Sequence, residues 1–187
     1  MNIILFGPPG AGKGTQSKYL VHKLNNFQVS TGDILREEIK KNSDIGLQIT
    51  NNMNDGKFVS DEIVNGLIEN IIYDPQKKNK LIFDGYPRSL SQAKYLDLIL
   101  DKSNQKIDHI FFLNVNKNTI VERIEKRKIL ENRSDDNTDT ILKRYDTYMQ
   151  TTRPVLDYYS KNLNFHEING KQEIEQITRE IGAFINV

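Results

Sequence analysis

The chain has 187 residues, 37% of them hydrophobic and 27% charged, with 26 basic against 25 acidic side chains and a net charge of +1. This balance argues against a nucleic-acid surface built on bulk charge, and the absence of cysteine excludes disulfides and thiolate zinc sites. No apolar run approaches the roughly 20 residues of a membrane span, the first apolar run is too short and uncharged in front for a signal peptide, and the length suits one domain of about 100–200 residues expected in the cytoplasm.

The first predicted strand, Ile3 to Phe6, runs into Gly7-Pro8-Pro9-Gly10-Ala11-Gly12-Lys13-Gly14-Thr15. Gly7, Gly12 and Lys13 have the spacing of a phosphate-binding loop, in the strand–loop–helix context that the pattern requires. Glycines let successive N–H groups curl inward towards a polyphosphate. The helix behind the loop adds the positive end of its dipole. Lys13 supplies a full charge able to follow the β- and γ-phosphates. One departure is visible: Gly14 stands where the usual pattern has Ser or Thr, and Thr15 follows.

Apolar residues at Tyr19, Leu20, Val21 and Leu24 predict an amphipathic helix over Gln16 to Leu24. Phe27 to Ser30 reads as a short strand. Thr31 is the expected N-cap of the next helix, with Ile34, Leu35 and Ile39 as its stripe. Further helices are expected from about Ile45 to Met53 and from Ser60 to the breaker Asp74-Pro75. Lys80 to Gly85 is a buried-type strand ending on the carboxylate of Asp84, and Ser89 opens the following helix. Ile107 to Val115 is a strand and Thr119 to Ile129 a helix. A long helix broken near Pro154, a strand over Asn164 to Ile168 and a helix from Glu173 to Phe184 complete the chain. Strands alternating with helices indicate a parallel sheet covered on both faces. Residues 30–59, and a short stretch near 127–137, read as insertions between sheet elements.

Ligands of open parallel sheets lie beyond the carboxyl ends of the strands. Asp84 stands at such an end, where a carboxylate beside a phosphate loop suits hydrated magnesium. In Asp84-Gly85-Tyr86-Pro87-Arg88, Gly85 allows close approach to the backbone and Arg88 projects from the turn. Ser89 and Gln92 have capping-box spacing, so Gln92 either caps its helix or offers its donor and acceptor to a purine edge. The surface uses 18 lysines but only 8 arginines, and arginine's planar fork grips phosphate oxygens in pairs. Arg36, Arg88, Arg123, Arg127, Arg133 and Arg144 are each readable as a solvated charge. Together they suggest more anionic oxygens than one triphosphate presents.

With these strings placed, the chain resembles the adenylate kinases end to end. Phe6 to Thr15 is similar to that family's phosphate loop, including Gly14-Thr15. Ser30-Thr31-Gly32-Asp33-Ile34-Leu35-Arg36 is similar to its AMP-side string, and Asp84 to Arg88 followed by Gln92 to its signature. The resemblance implies an α/β fold of P-loop NTPase type, three layers αβα around a parallel five-stranded sheet. It implies one domain with a core of residues 1–29, 60–126 and 138–187, an NMP-binding helical insertion at 30–59 and a short lid at 127–137.

The same resemblance implies roles. Gly10, Ala11, Gly12, Lys13, Gly14 and Thr15 would wrap the ATP phosphates, and Gln172 would touch the ATP base through its backbone. Thr31 and Gln92 would contact the adenine of AMP, Arg36 and Arg88 its phosphate. Lys57, Phe58 and Val59 would line its base, with Gly85, Tyr86 and Pro87 close by. Arg123 and Arg127 on the ATP side, and Arg133 and Arg144 on the AMP side, would close on the transferring group. Lys13, Arg88 and these four arginines form the implied catalytic set. The implied reaction is MgATP + AMP ⇌ 2 ADP, serving adenine nucleotide homeostasis and purine salvage. Asp84 would hold Mg2+ through water, with no zinc, and the expected form is a monomer without nucleic-acid or membrane partners. The competing readings are a pyrimidine (UMP/CMP) monophosphate kinase, which tends to lack the Thr31 and Gln92 equivalents, and a P-loop ATPase or switch.

Overall fold

The computed structural model describes residues 1–55, 57, 59–131 and 138–187, with the backbone alone at 126–131, 138, 139 and 141. In chain order the elements are β1 (Ile3–Phe6), α1 (Lys13–Leu24), β2 (Phe27–Ser30), α2 (Thr31–Lys40), α3 (Asp44–Asn54), α4 (Asp61–Ile72), β3 (Leu81–Asp84) and α5 (Leu90–Lys102). They continue with β4 (His109–Asn114), α6 (Lys117–Glu131), α7 (Thr138–Thr147), a π turn (Tyr148–Thr152), α8 (Arg153–Tyr159), β5 (Phe165–Asn169) and α9 (Ile174–Ile185). The five strands pair in parallel in the order β2-β3-β1-β4-β5.

The period of two along each strand divides the core. Ile4, Phe6, Phe83, Ile110 and Phe112 face a cluster with Ile68 of α4, Leu96 of α5 and Tyr159 of α8. Ile3, Leu5, Ile82, Phe111 and Leu113 face the opposite cluster, with Leu20 of α1, Ile124 of α6 and Ile181 of α9. Both faces of a parallel sheet need such cover, which accounts for the nearly unbroken apolar runs. The sequence's α/β expectation therefore holds, with strand boundaries within two residues.

Two local expectations change. Ser30, not Thr31, caps α2, its Oγ accepting from the Asp33 N–H at 3.3 Å. The Thr31 hydroxyl instead donates across the sheet edge to the Gly85 carbonyl at 2.8 Å. The break expected at Pro154 begins earlier, as the π turn Tyr148–Thr152.

Helices α2 and α3 form a tightly packed pair. A Cβ added at Gly46 of α3 would lie 2.2 Å from the Glu38 carbonyl oxygen of α2. Gly66 on α4 faces open space, with nothing within 4 Å of an added Cβ. The two glycines should respond oppositely to alanine. Gly46→Ala must part the helices, costing about 1–3 kcal/mol and lowering the thermal midpoint by roughly 3–10 °C. Gly66→Ala should gain about 0.5–1 kcal/mol from helix propensity alone. Calorimetry on both variants checks the contrast; equal midpoints would contradict the close α2–α3 approach.

Candidate active site

The parallel register sets the carboxyl ends of three strands side by side, with Ser30 opposite Asp84 and Asp84 opposite Leu5. The loop after β1 opens here. Gly7, Gly10 and Gly12 have φ of 149°, 80° and 98°. Gly12 is the N-cap of α1 and no side chain caps that helix, so its first N–H groups remain for an anion. The Lys13 Nζ lies across the loop, donating to the Gly7 carbonyl at 2.7 Å and the Pro8 carbonyl at 3.0 Å. The Arg123 Nη1 donates to the Ala11 carbonyl at 3.3 Å, which seats α6 against the same loop. Asp84 is held by the Gln28 amide at 3.1 Å, and its Oδ2 would lie 3.6 Å from a Cβ at Gly14. That distance is an ordinary contact, so a Cβ at position 14 would fit beside the carboxylate, and nothing in the local packing requires glycine there.

Two clefts meet at this edge. The first is lined by Gly7, Pro9, Lys13, Arg144, Tyr148 and Thr152 among others, the second by Thr31, Leu35, Met53, Lys57, Val59 and Gln92 among others. Gly85 and Arg88 line both. Gly85 has φ of 79°, and a Cβ there would stand 2.7 Å from the Arg88 guanidinium. Arg88 donates from Nε to the Gly85 carbonyl at 2.6 Å and from Nη2 to the Thr31 hydroxyl at 3.3 Å. Its backbone carbonyl accepts from the Thr152 hydroxyl at 2.9 Å, so the π turn braces the arginine.

The electrostatics agree with the geometry. Burial lowers the Arg88 pKa to about 10; the charges of Arg144 and Arg36 push the same way, and Asp84 opposes them. Two neighbouring cations thus act on Arg88 against the opposing carboxylate of Asp84, and an anionic ligand would favour its charged form. Arg36 pairs with Asp33 at 2.6 Å.

Several expectations gain a place and others do not. Gln92 is 3% exposed and lines the second cleft, but its Oε1 accepts from the Arg88 N–H rather than from its own N-cap. Thr31 is 4% exposed beside it. The Tyr86 side chain, by contrast, is core: it is 1% exposed, with its hydroxyl donating to Asn65 at 2.7 Å. Gln172 follows Gly170-Lys171 in the turn after β5, its N–H donating to the Asn169 carbonyl at 3.3 Å. That turn is tied to α1 by the Gln16 amide, which donates to the Ile174 carbonyl at 3.3 Å. Phe58, Arg133 and the side chain of Arg127 lie outside the described residues. Sequence reasoning missed Gln28, Asp61, Tyr148 and Thr152. None sits in a recognisable string, and a π turn has no period to betray it.

Comparison with known proteins agrees with this geometry. The adenylate kinase family model matches residues 5–164. An adenylate kinase of Pelagibacter ubique (strain HTCC1062) is 46% identical, with both chains covered in full. One from Mycoplasma capricolum is 40% identical, again over the whole of both chains. One from Caulobacter sp. (strain K31) is 40% identical over all of this chain and 99% of its own. With the loop, the paired clefts and these relatives together, the chain belongs to the adenylate kinase family.

Proposed function

We propose that the protein catalyses reversible transfer of the terminal phosphoryl group of MgATP to AMP, giving two ADP. One observation carries the reading: the Lys13 cleft and the Thr31/Gln92 cleft share Gly85 and Arg88. A donor in the first and an acceptor in the second would bring their phosphates together at Arg88. A single-nucleotide switch has no use for the second cleft.

In this reading Gly10 to Thr15 wrap the donor phosphates and Lys13 follows the β- and γ-oxygens. Arg88 and Arg36 hold the acceptor phosphate, while Thr31, Gln92, Val59 and the backbone of Lys57 receive its base. The oxygen of the acceptor phosphate attacks the γ-phosphorus, and the bond to the β–γ bridging oxygen breaks. That oxygen leaves with ADP, so no proton need move. Catalysis is then alignment plus cations placed around the equatorial oxygens. Arg123 and Arg144, with Arg127 and Arg133, supply those cations, and Gln172 meets the donor base. The segment 30–59 acts as the acceptor-binding insertion and 127–137 as a short lid that excludes water.

Asp84 fits magnesium: one carboxylate beside a phosphate loop, leaving the remaining coordination to water and phosphates. When bound, the ion offsets charge on the β- and γ-oxygens. Among the described residues no group of three or more His, Cys, Asp or Glu could hold a metal by itself. No described helix is long and apolar enough to cross a membrane. A cytoplasmic monomer supplying adenine nucleotide homeostasis and purine salvage fits these features.

The test is ADP formation from ATP with and without AMP, followed by a panel containing CMP, UMP and IMP. Orthophosphate release independent of AMP would refute the reading. Gln92→Leu removes a donor and an acceptor that line the second cleft and not the first, together with the acceptor of the Arg88 N–H. It should raise the KM for AMP about 10- to 100-fold while the KM for ATP stays within about twofold. Equal, slight effects on both would leave Gln92 with a structural role only.

A further inference from the structure

We infer that Asp61 sets the acceptor-base preference of the second cleft, as a positioning residue that fixes which way round the Gln92 amide faces. The inference rests on the acceptor-site reading above. Asp61 is the first residue of α4, directly after the insertion. Its Oδ1 accepts from the Gln92 Nε2 at 2.7 Å. Its Oδ2 accepts from the Ser89 hydroxyl at 2.8 Å and from the Ser91 hydroxyl. Ser89 in turn accepts from the Gln92 N–H at 3.1 Å. The carboxylate thus joins the start of α4 to the start of α5.

The chemistry of these partners removes any ambiguity in the amide. A carboxylate only accepts, so the group facing Asp61 must be the NH2. A backbone N–H only donates, so the group facing the Arg88 N–H, 2.7 Å away, must be the oxygen. The two constraints act at opposite ends of one carboxamide and agree. One N–H and one lone pair of Gln92 are thereby used, and those left for the cleft have a fixed sense.

That fixed sense discriminates between purines. A 6-aminopurine presents a donor at its 6-amino group beside an acceptor at N1. A 6-oxopurine presents the reverse, an acceptor at O6 beside a donor at N1. An unrestrained glutamine can turn its amide over and serve either. A clamped one serves one and leaves buried polar groups unpaired against the other, which is where large discrimination arises. Asp61 need not touch the nucleotide to do this.

The experiment compares kcat/KM for AMP and for IMP in the native protein, Asp61→Ala, Asp61→Asn and Ser91→Ala. Asp61→Asn keeps the shape but can turn its own amide, so it no longer enforces the polarity. Asp61→Ala leaves the Arg88 N–H as the remaining constraint on the amide, so kcat/KM for AMP should fall about tenfold, with IMP changing less than about threefold, and the AMP/IMP ratio narrows without being lost. Asp61→Asn should shift the ratio the same way. Ser91→Ala, which loosens the carboxylate from the exposed side, should shift it less. The KM for ATP should stay within about twofold throughout. If AMP and IMP fall by one common factor, or neither changes, Asp61 merely fastens α4 to α5 and the inference fails. Should Asp61→Ala not fold, the ratio in Asp61→Asn decides. A native protein that forms no ADP from ATP and AMP would instead refute the acceptor-site reading, a separate outcome.

Discussion

Replacing Lys13 by methionine should lower kcat for ADP formation about a thousandfold. The substitution keeps the apolar stem and deletes only the charge. In the structure the ammonium bridges the carbonyls of Gly7 and Pro8, so it sits at the mouth of the loop, where a polyphosphate would draw it. Charge on the transferring group spreads over its equatorial oxygens in the transition state. A cation that follows them acts more strongly there than in the ground state. The loss should therefore fall mainly on kcat, with KM for ATP rising less. A thermal midpoint near that of the native protein would establish that the loop still folds. A decrease below about tenfold would remove Lys13 from the transition state.

Arg88 should be nearly as sensitive, and in a different way. It lines both clefts, and its fork is held by the Gly85 carbonyl and the Thr31 hydroxyl. Lysine keeps a charge but cannot reproduce two directed contacts in one plane. Arg88→Lys should therefore lose about 100-fold in kcat/KM for AMP, and Arg88→Ala about 1000-fold. Retention of most activity in Arg88→Lys would mean that charge alone suffices.

The pH profile gives an independent check. Burial, reinforced by Arg144 and Arg36, lowers the Arg88 pKa to about 10. A lowered pKa on a base means that the cation persists at neutral pH and is lost as pH rises through about 10. The parameter kcat/KM for AMP reports groups of the free enzyme. It should fall across that window, whereas saturating AMP should protect kcat by favouring the charged form.

Much of the architecture was legible because its causes are local. Apolar runs such as Leu81-Ile82-Phe83 and Phe111-Phe112-Leu113 demand cover on both faces. Glycines 7, 10 and 12 demand positive or unusual φ, and Ser60 and Ser89 announce helix starts. The fold class and the phosphate loop follow from those features, and so does the convergence of loop, carboxylate and arginine at one sheet edge. Residues whose roles depend on partners far along the chain could not be read in this way. Thr31 looked like a cap until the β2–β3 register placed the Gly85 carbonyl within 2.8 Å of its hydroxyl.

Gln92 offered two readings that periodicity could not separate. The structure decides only its protein partners: its Oε1 accepts from the Arg88 N–H, and its Nε2 donates to Asp61, 31 positions away in the chain. Tyr86 belongs to a nucleotide-like string, yet its ring went into the core because Asn65 on α4 satisfies its hydroxyl. Sequence by itself determined the elements and the chemistry available at the strand ends, since propensity, periodicity and turn geometry act over a few residues. Only the tertiary structure decided which donor meets which acceptor, because a hydrogen bond depends on distance and direction in space and neither is encoded by spacing along the chain.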